Sequence, residues 1–364
     1  MRIACGLLLL TACCYANAAQ IALRVSNPPA TGSLVLQVYD SASAFGDFRD
    51  PMVQARIPIA PDADYRLRGI AAGTVALLVF ADENDNGVLD QNFIGLPTEA
   101  IWLSNDYRPK GPPSFERAAI VINEGDELML DATLISVIDG GQWGAGIGLI
   151  ARGSPYVGSD GSVLQPIPAI TYLGERLQWL GPNIQYGLAG RGRVRLAAVA
   201  NWRVGAYEED DSAVLVGLGD RDGALMAGLG INADLPAGFQ LGVDYRHDLL
   251  DRIGGGVARA QLSRSFVAGI ARLSPTLGVN WLSAGVADYE YGVSATGATA
   301  PRPAYDAGSN VSVEIGIRAL IEITPRWRAI VNVSVESLPD EITDSPIVDE
   351  DRIVNGFAAL TYTF

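Results

Sequence analysis

The sequence predicts an all-β chain, a transmembrane antiparallel β-barrel of about ten to twelve strands preceded by a small soluble β-sandwich of the transthyretin or immunoglobulin type. Three observations point there. Segments of the second half alternate apolar and polar residues; the chain stops on an aromatic residue at the end of one such segment, Leu360, Thr361, Tyr362, Thr363, Phe364; and beyond Ala19 no apolar run is long enough for a membrane helix. Side chains along a barrel strand meet lipid and lumen in turn, so each strand reads with a period of two.

At the amino end, Arg2 is followed by the apolar stretch Ile3 to Ala12 and by Ala16, Asn17, Ala18, the layout of a secretory signal over residues 1–18. The mature chain then begins near Ala19. All three cysteines, Cys5, Cys13 and Cys14, lie in this leader, so its removal leaves no disulfide to stabilise the fold. Leu10, Thr11, Ala12 and Cys13 also match a lipobox, in which Cys13 would be lipidated, although the apolar stretch before it is short.

Residues 19–137 read as the sandwich. Short strands are expected at Ile21 to Val25, Leu34 to Tyr39, Tyr65 to Ile70, Thr74 to Phe80, Ala118 to Ile122 and Glu127 to Leu134, with Pro- and Gly-rich turns between them. Ile138, Asp139, Gly140 and Gly141 form a natural joint to the barrel domain, 138–364.

The sharpest local motif in the sandwich runs from Asp82 to Asp90. Oxygen-bearing side chains at Asp82, Asn84 and Asn86, then Gly87, copy the first half of a calcium loop, in which Val88 would contribute its carbonyl and Asp90 a further ligand. The twelfth position is Phe93 where such loops place a bidentate Glu. The competing reading is a polar hairpin whose Asn86-Gly87 pair supplies left-handed turn residues.

The barrel segments can be followed residue by residue. Val311, Val313, Ile315, Ile317, Ala319, Ile321 and Ile323 alternate with Ser312, Glu314, Gly316, Arg318 and Glu322; after a turn at Thr324, Pro325, Arg326 the pattern resumes with Trp327, Ala329, Val331, Val333 and Val335 against Arg328, Asn332, Ser334 and Glu336. The stretches around Val194 to Trp202, Phe239 to Tyr245 and Leu273 to Trp281 alternate likewise. A soluble sandwich also alternates, yet it rarely needs strands this long with Trp or Tyr near their ends. The lumen face carries both signs, which either lines water or cross-pairs.

Composition narrows the chemistry. A net charge of −15 argues against nucleic acid as a partner. The single lysine is Lys110 and the single histidine is His247, between Arg246 and Asp248 at the end of a strand. A nucleophilic triad would have to use His247, and a mature chain without cysteine cannot build a Cys/His metal cluster. No catalytic set emerges, and the sequence reads as non-enzymatic.

Two resemblances add to this reading. Leu67 to Phe80, the Asp82 to Asp90 loop, Asn92 to Pro97, Glu99, Ser104, Asn105 and Gly111 to Phe115 resemble the small exported domain family DUF2141, over about 20–135. Ser154 to Asp160, Pro166 to Tyr172, Tyr291 to Val293 and Asp344 to Val348 resemble the MltA-interacting protein (MipA), or OmpV, family of outer-membrane proteins, over about 141–364. The fused amino-terminal domain departs from typical members. What the second resemblance implies is an outer-membrane barrel without enzymatic activity, with a structural or scaffolding role linking peptidoglycan synthesis and hydrolysis enzymes.

With an even number of strands both barrel termini lie in the periplasm, which places the 19–137 domain beside the cell wall. Leu360, Tyr362 and Phe364 are expected to be the signal read by the barrel-assembly machinery. The acidic clusters Glu208 to Asp211 and Asp340 to Asp351 are expected outside the cell, in contact with cations that bridge lipopolysaccharide. The competing functions are a porin-like channel for small solutes and, more weakly, a surface adhesin.

Overall fold

In a computed structural model, the described residues are 18–364 apart from 61–62, 94, 110–112, 138–140, 160–162, 191 and 325. Outside them lie residues 1–17 of the expected secretory signal with the three cysteines, Lys110, most of the Ile138 to Gly141 joint, Pro325, and the motif residues Ile94, Gly111, Pro112 and Asp160.

The amino-terminal region contains β1 (Ala19–Val25), β2 (Ser33–Tyr39), β3 (Val53–Pro58), β4 (Tyr65–Ile70), β5 (Gly73–Asp82), β6 (Ile101–Leu103), β7 (Ile120–Ile122) and β8 (Glu127–Ala132). They form one sheet in the order β4-β1-β8 and another in the order β3-β2-β5-β6, with β7 also on β5. β2 and β5 are apolar at nearly every position because both of their faces are covered. Leu34, Leu36, Val38, Leu77 and Val79 pack against Ile21, Leu23 and Leu67 of the other sheet. On the opposite face Val35, Tyr39, Ala76, Leu78 and Phe80 meet Phe45 of helix α1 (Ala42–Asp47) and Ala118 of helix α2 (Phe115–Ala118). β3, β6 and the two helices were not legible in the sequence. β3 is an edge strand with one exposed face, and β6 and both helices are too short to establish a period.

The second half is a closed barrel. Its strands are β9 (Gln142–Arg152), β10 (Val163–Pro168), β11 (Thr171–Leu173), β12 (Leu177–Leu180), β13 (Asn183–Ala189), β14 (Val194–Arg203), β15 (Ala224–Asp234), β16 (Phe239–Asp248), β17 (Gly256–Arg264), β18 (Phe266–Ala268), β19 (Ala271–Leu282), β20 (Asn310–Glu322), β21 (Trp327–Ser337) and β22 (Arg352–Thr363). Neighbours pair antiparallel and β22 returns to β9, from Asn355 opposite Arg152 to Thr363 opposite Gly144, which removes both edges. β10 and β11 both lie on β9, and β17 and β18 both lie on β19, so each couple is one interrupted strand and the barrel has twelve. Pro168 can end β10 at the first break, since it has no N–H to give the ladder.

The faces are those the alternation predicted. Val311, Val313, Ile315 and Ile317 are exposed outward, while Ser312 and Glu314 are buried inward. Outward aromatics gather near both rims, Trp143, Trp327 and Phe364 at one and Trp202, Tyr245 and Trp281 at the other, as in the girdles of membrane barrels. At the first rim the chain enters and leaves the barrel and the connections are short. At the second rim the connections are long, apart from Gly181-Pro182 between β12 and β13, with helix α3 (Ala284–Tyr291) between β19 and β20 and helix α4 (Asp340–Thr343) between β21 and β22. Among the described residues no helix is long and apolar enough to cross a membrane.

Candidate functional site

The long connections fold over the second rim into a dome with a core of its own, built from Tyr156, Tyr207, Leu215, Met226, Val286, Tyr291, Ile342, Ile347 and their neighbours. Three separated stretches meet there. Tyr156 bridges to Val348, the Val157 amide donates to the Ile347 carbonyl at 3.0 Å, and the Ser345 hydroxyl donates to the Tyr291 carbonyl at 2.6 Å. Three of the four segments that carried the second resemblance thus meet in the dome, while the fourth, Pro166 to Tyr172, lies on β10 and β11 of the wall.

A charged centre lies beneath it. Glu290 on α3 is buried and accepts from Arg152 at the end of β9, at 3.1 Å, and from Arg203 at the end of β14, at 2.6 Å. Arg152 also reaches the Tyr291 hydroxyl at 3.2 Å, and the Tyr156 hydroxyl donates to the Glu290 carbonyl at 3.2 Å. Burial pushes the Glu290 carboxyl up, but Arg203 and Arg152 outweigh it and hold the group down to about 2. Nothing local in the sequence marks this centre: Arg203 only follows the alternating stretch that ends at Trp202, and no spacing links Glu290 to either arginine.

Farther down the lumen the mixed charges cross-pair. Arg259 meets Glu314 at 2.8 Å, Asn280 donates to Glu314 at 3.3 Å and to Glu336 at 3.1 Å, Ser312 bonds Glu336, and Arg246 pairs with Asp244 at 3.1 Å. Near the first rim Arg195 grips Asp234 with two nitrogens, at 2.8 and 3.0 Å. His247 lies on the exposed outer face beside the Tyr245 hydroxyl, 3.1 Å away, so a lumenal triad cannot use it.

The sequence pattern described as MltA-interacting protein MipA matches residues 145–364, essentially the whole barrel. The chain belongs to the MltA-interacting protein family. Residues 25–129 match a second pattern, an uncharacterized protein conserved in bacteria (DUF2141). The MltA-interacting protein of Escherichia coli K12 is 28% identical over 224 residues, 61% of this chain and 89% of that protein. Outer membrane protein OmpV of Vibrio cholerae serotype O1 is 30% identical over 145 residues, 40% of this chain and 56% of that protein, so the chain spans little more than half of OmpV. A putative outer membrane protein, YiaT of Escherichia coli K12, is 24% identical over 222 residues. Among solved structures, an outer membrane channel from Pseudomonas putida F1 is similar at a TM-score of 0.32 and 10% identity over 62% of this chain and 96% of that chain. The NanC porin is similar at 0.28 and 7% over 62% and 98%. Likeness of that degree does not bear on function. This member of the MltA-interacting protein family is thus an outer-membrane β-barrel protein, and it carries additional β-sheets at its amino end.

In this family member the Asp82 loop is neither a two-residue hairpin nor an open ring of oxygens. The left-handed residues are Asp85 and Gly87 rather than Asn86 and Gly87, and β5 ends at Asp82 with no partner strand following directly. The reason is local. The buried Asp82 carboxylate accepts the amides of Asn86 at 2.9 Å and Gly87 at 2.8 Å, drawing the backbone into a turn before a hairpin can form. Asn84 and Asn86 each donate from the side-chain amide to Asp90, both at 2.8 Å, and the Asn86 side-chain Oδ1 accepts the Val88 amide at 2.7 Å. Arg56 approaches Asp82 at 3.3 Å and Asp85 at 2.6 Å. Asp90 in turn donates its amide to Glu99 at 2.9 Å. The five residues named as calcium ligands are therefore brought together, with their oxygens largely engaged by protein donors.

Leu360, Tyr362 and Phe364 share the outer face of β22 and its end; Tyr362 lies edge-on to Trp327, 5.2 Å between ring centres, and to Phe364 at 5.7 Å. The Phe364 amide donates to the Trp143 carbonyl at 3.0 Å, tying the last residue to the first barrel strand.

Proposed function

We propose that this protein is a non-enzymatic scaffold of the cell envelope, a barrel anchored in the outer membrane whose 19–137 domain faces the periplasm and holds enzymes that build and cut peptidoglycan. The observation that carries the reading is the 28% identity to the MltA-interacting protein across 89% of that protein's length. The interior supports it: the lumen wall is lined with ion pairs and covered at one rim by packed loops, which suits an anchor better than a wide conduit. Short turns and both chain ends share one rim, the periplasmic side in barrels of this kind. The acidic loops then face outward, where divalent cations can bridge them to lipopolysaccharide.

Two measurements test the proposal. Purified full-length protein should retain a lytic transglycosylase of the MltA type on a column and show no steady conductance in a planar bilayer. Free passage of the enzyme together with regular single-channel steps would replace the scaffold by a porin-like channel. A tag at Asp349 should be labelled on intact cells and one between Thr324 and Arg326 only after the outer membrane is opened; the reverse pattern would place the 19–137 domain outside the cell.

A further inference from the structure

We infer that the amino-terminal sandwich is the plug of its own barrel, with Phe93 as the stopper. The loop that follows the Asp82 to Asp90 turns leaves the sandwich and enters the barrel at the short-turn rim. There Phe93 is 7% exposed and forms a buried cluster with Ala197 and Val199, two inward-facing residues of β14. The ring packs against the barrel wall with little room to spare. Beside it on β15 stands Gly230, where an added Cβ would lie 3.2 Å from a Val199 methyl and 3.6 Å from the Phe93 ring. An aromatic side chain that leaves its own domain to be buried in another does so because the apolar surface it removes from water exceeds what the exposed loop would keep.

The seat is fixed from several sides. On the wall next to the ring, Asn232 of β15 donates to the Phe93 carbonyl at 3.0 Å, Asn92 donates to the carbonyl of Gly174 in the turn after β11 at 3.2 Å, and Arg195 reaches Gln91 at 3.4 Å. On another arc of the rim, Arg272 of β19 holds Asp47 at 2.7 Å and the Gly46 carbonyl at 2.5 Å, at the end of α1. β14 and β19 are separated by β15, β16 and β17, so the sandwich is gripped at two well-spaced points and not merely tethered. A stopper must also be stiff. The Asn92 amide and the Leu96 carbonyl bond at 2.8 Å, the Leu96 amide returns to the Asn92 side chain at 2.9 Å, and Gln91 bridges Pro97. The polar network of Asp82, Asn84, Asn86, Asp90 and Glu99 stands directly behind this tip. That gives the calcium-like motif a purpose that needs no ion, as the rigid base of the plug.

The mature chain has no cysteine of its own, so single thiols report cleanly. Thr276 lies on the same inward face of β19 as Asn280. With Thr276→Cys introduced into the mature full-length protein in detergent, a small charged thiol reagent should react slowly, and roughly tenfold or more faster when Phe93→Ala is added, because local opening then exposes the lumen. Arg272→Glu should accelerate labelling in the same direction. Equal rates in all three proteins would overturn the proposal. Since Phe93→Ala could disturb folding, a second measurement stands apart from it: the double variant Phe93→Cys, Val199→Cys should form an intramolecular bond through a short bifunctional thiol reagent that replaces the ring in outer-membrane fractions, a direct disulfide being too short to span it. Absence of that bond, with the barrel folded, would also overturn the proposal. Neither outcome bears on whether the protein binds a transglycosylase.

Discussion

Glu290 and Arg203 meet at 2.6 Å beneath the loop dome, joining a helix of one long connection to the end of β14. The carboxylate is shared with Arg152, so replacing it strands two guanidiniums under a packed roof. Glu290→Gln is expected to destabilise the dome by about 3–5 kcal/mol, the usual cost of breaking a buried pair from one side. The readout is faster proteolysis or amide exchange in the 283–309 and 338–351 connections. Because this carboxyl is held down to about 2, its contribution is complete above the ordinary glutamate value and is lost as the pH falls toward 2. Unchanged protection in Glu290→Gln at neutral pH would show that the dome does not depend on this centre.

Val331 and Asn332 are neighbours on β21 with opposite faces. Val331→Arg near the bilayer midplane should cost roughly 2–4 kcal/mol, while Asn332→Arg, turned to the lumen, should be much milder. Refolding into lipid vesicles, followed by denaturant titration, compares them. Equal penalties would mean that the two residues do not face lipid and lumen, and a larger one at Asn332 that the faces are inverted.

Deleting Phe364 removes the terminal aromatic and its amide bond to the Trp143 carbonyl. If Leu360, Tyr362 and Phe364 are the signal read by the barrel-assembly machinery, the shortened chain should accumulate as periplasmic aggregate or be degraded. Outer-membrane fractionation decides it, and normal levels of the truncated protein would reduce Phe364 to a packing residue.

Glu99 titrates near neutrality for a structural reason. Burial pushes it up, the nearby Asp90 and Asp82 carboxylates push the same way, and the bond from the Asp90 amide only partly opposes them, leaving it at about 7. A carboxyl raised on folding stabilises most below its ordinary value and loses that contribution as the pH rises through 7. Amide exchange at Asp90 should therefore quicken between the ordinary glutamate value and about 7 in the native protein, beyond its intrinsic pH dependence. Glu99→Gln should flatten the profile; an unaltered profile in that variant would exclude Glu99 as the cause.

Calcium is expected to leave the 19–137 domain unchanged. Asp82 and Asp90 already accept protein donors, and among the described residues no group of three or more His, Cys, Asp or Glu side chains is placed to hold a metal. An ion that bound only the folded state would raise its melting temperature by mass action. A saturable rise in the wild-type domain, abolished by both Asp82→Ala and Asn84→Ala, would restore the calcium site with Asn86, Val88 and Asp90 as its other ligands.

The sequence by itself determined the barrel, its lipid face and its last strand, because a period of two is a local property: Val313 and Glu314 declare their sides whatever the rest of the chain does. It also marked β2 and β5 as strands, since each is a short, largely apolar segment between turn signals. What only the tertiary structure decided lies between segments far apart in the chain. The Asn86-Gly87 pair read as a hairpin until the Asp82 carboxylate was seen to bend the backbone first. Lumenal charges of both signs could not be told apart as water-lining or paired until the register of β17, β19 and β20 set Arg259 beside Glu314 and the connection over the rim brought Glu290 onto Arg152. Phe93 looked like a failed calcium ligand and is an aromatic seated in another domain's lumen. Such contacts depend on loop paths and strand register around a closed barrel, and no period in the sequence encodes either.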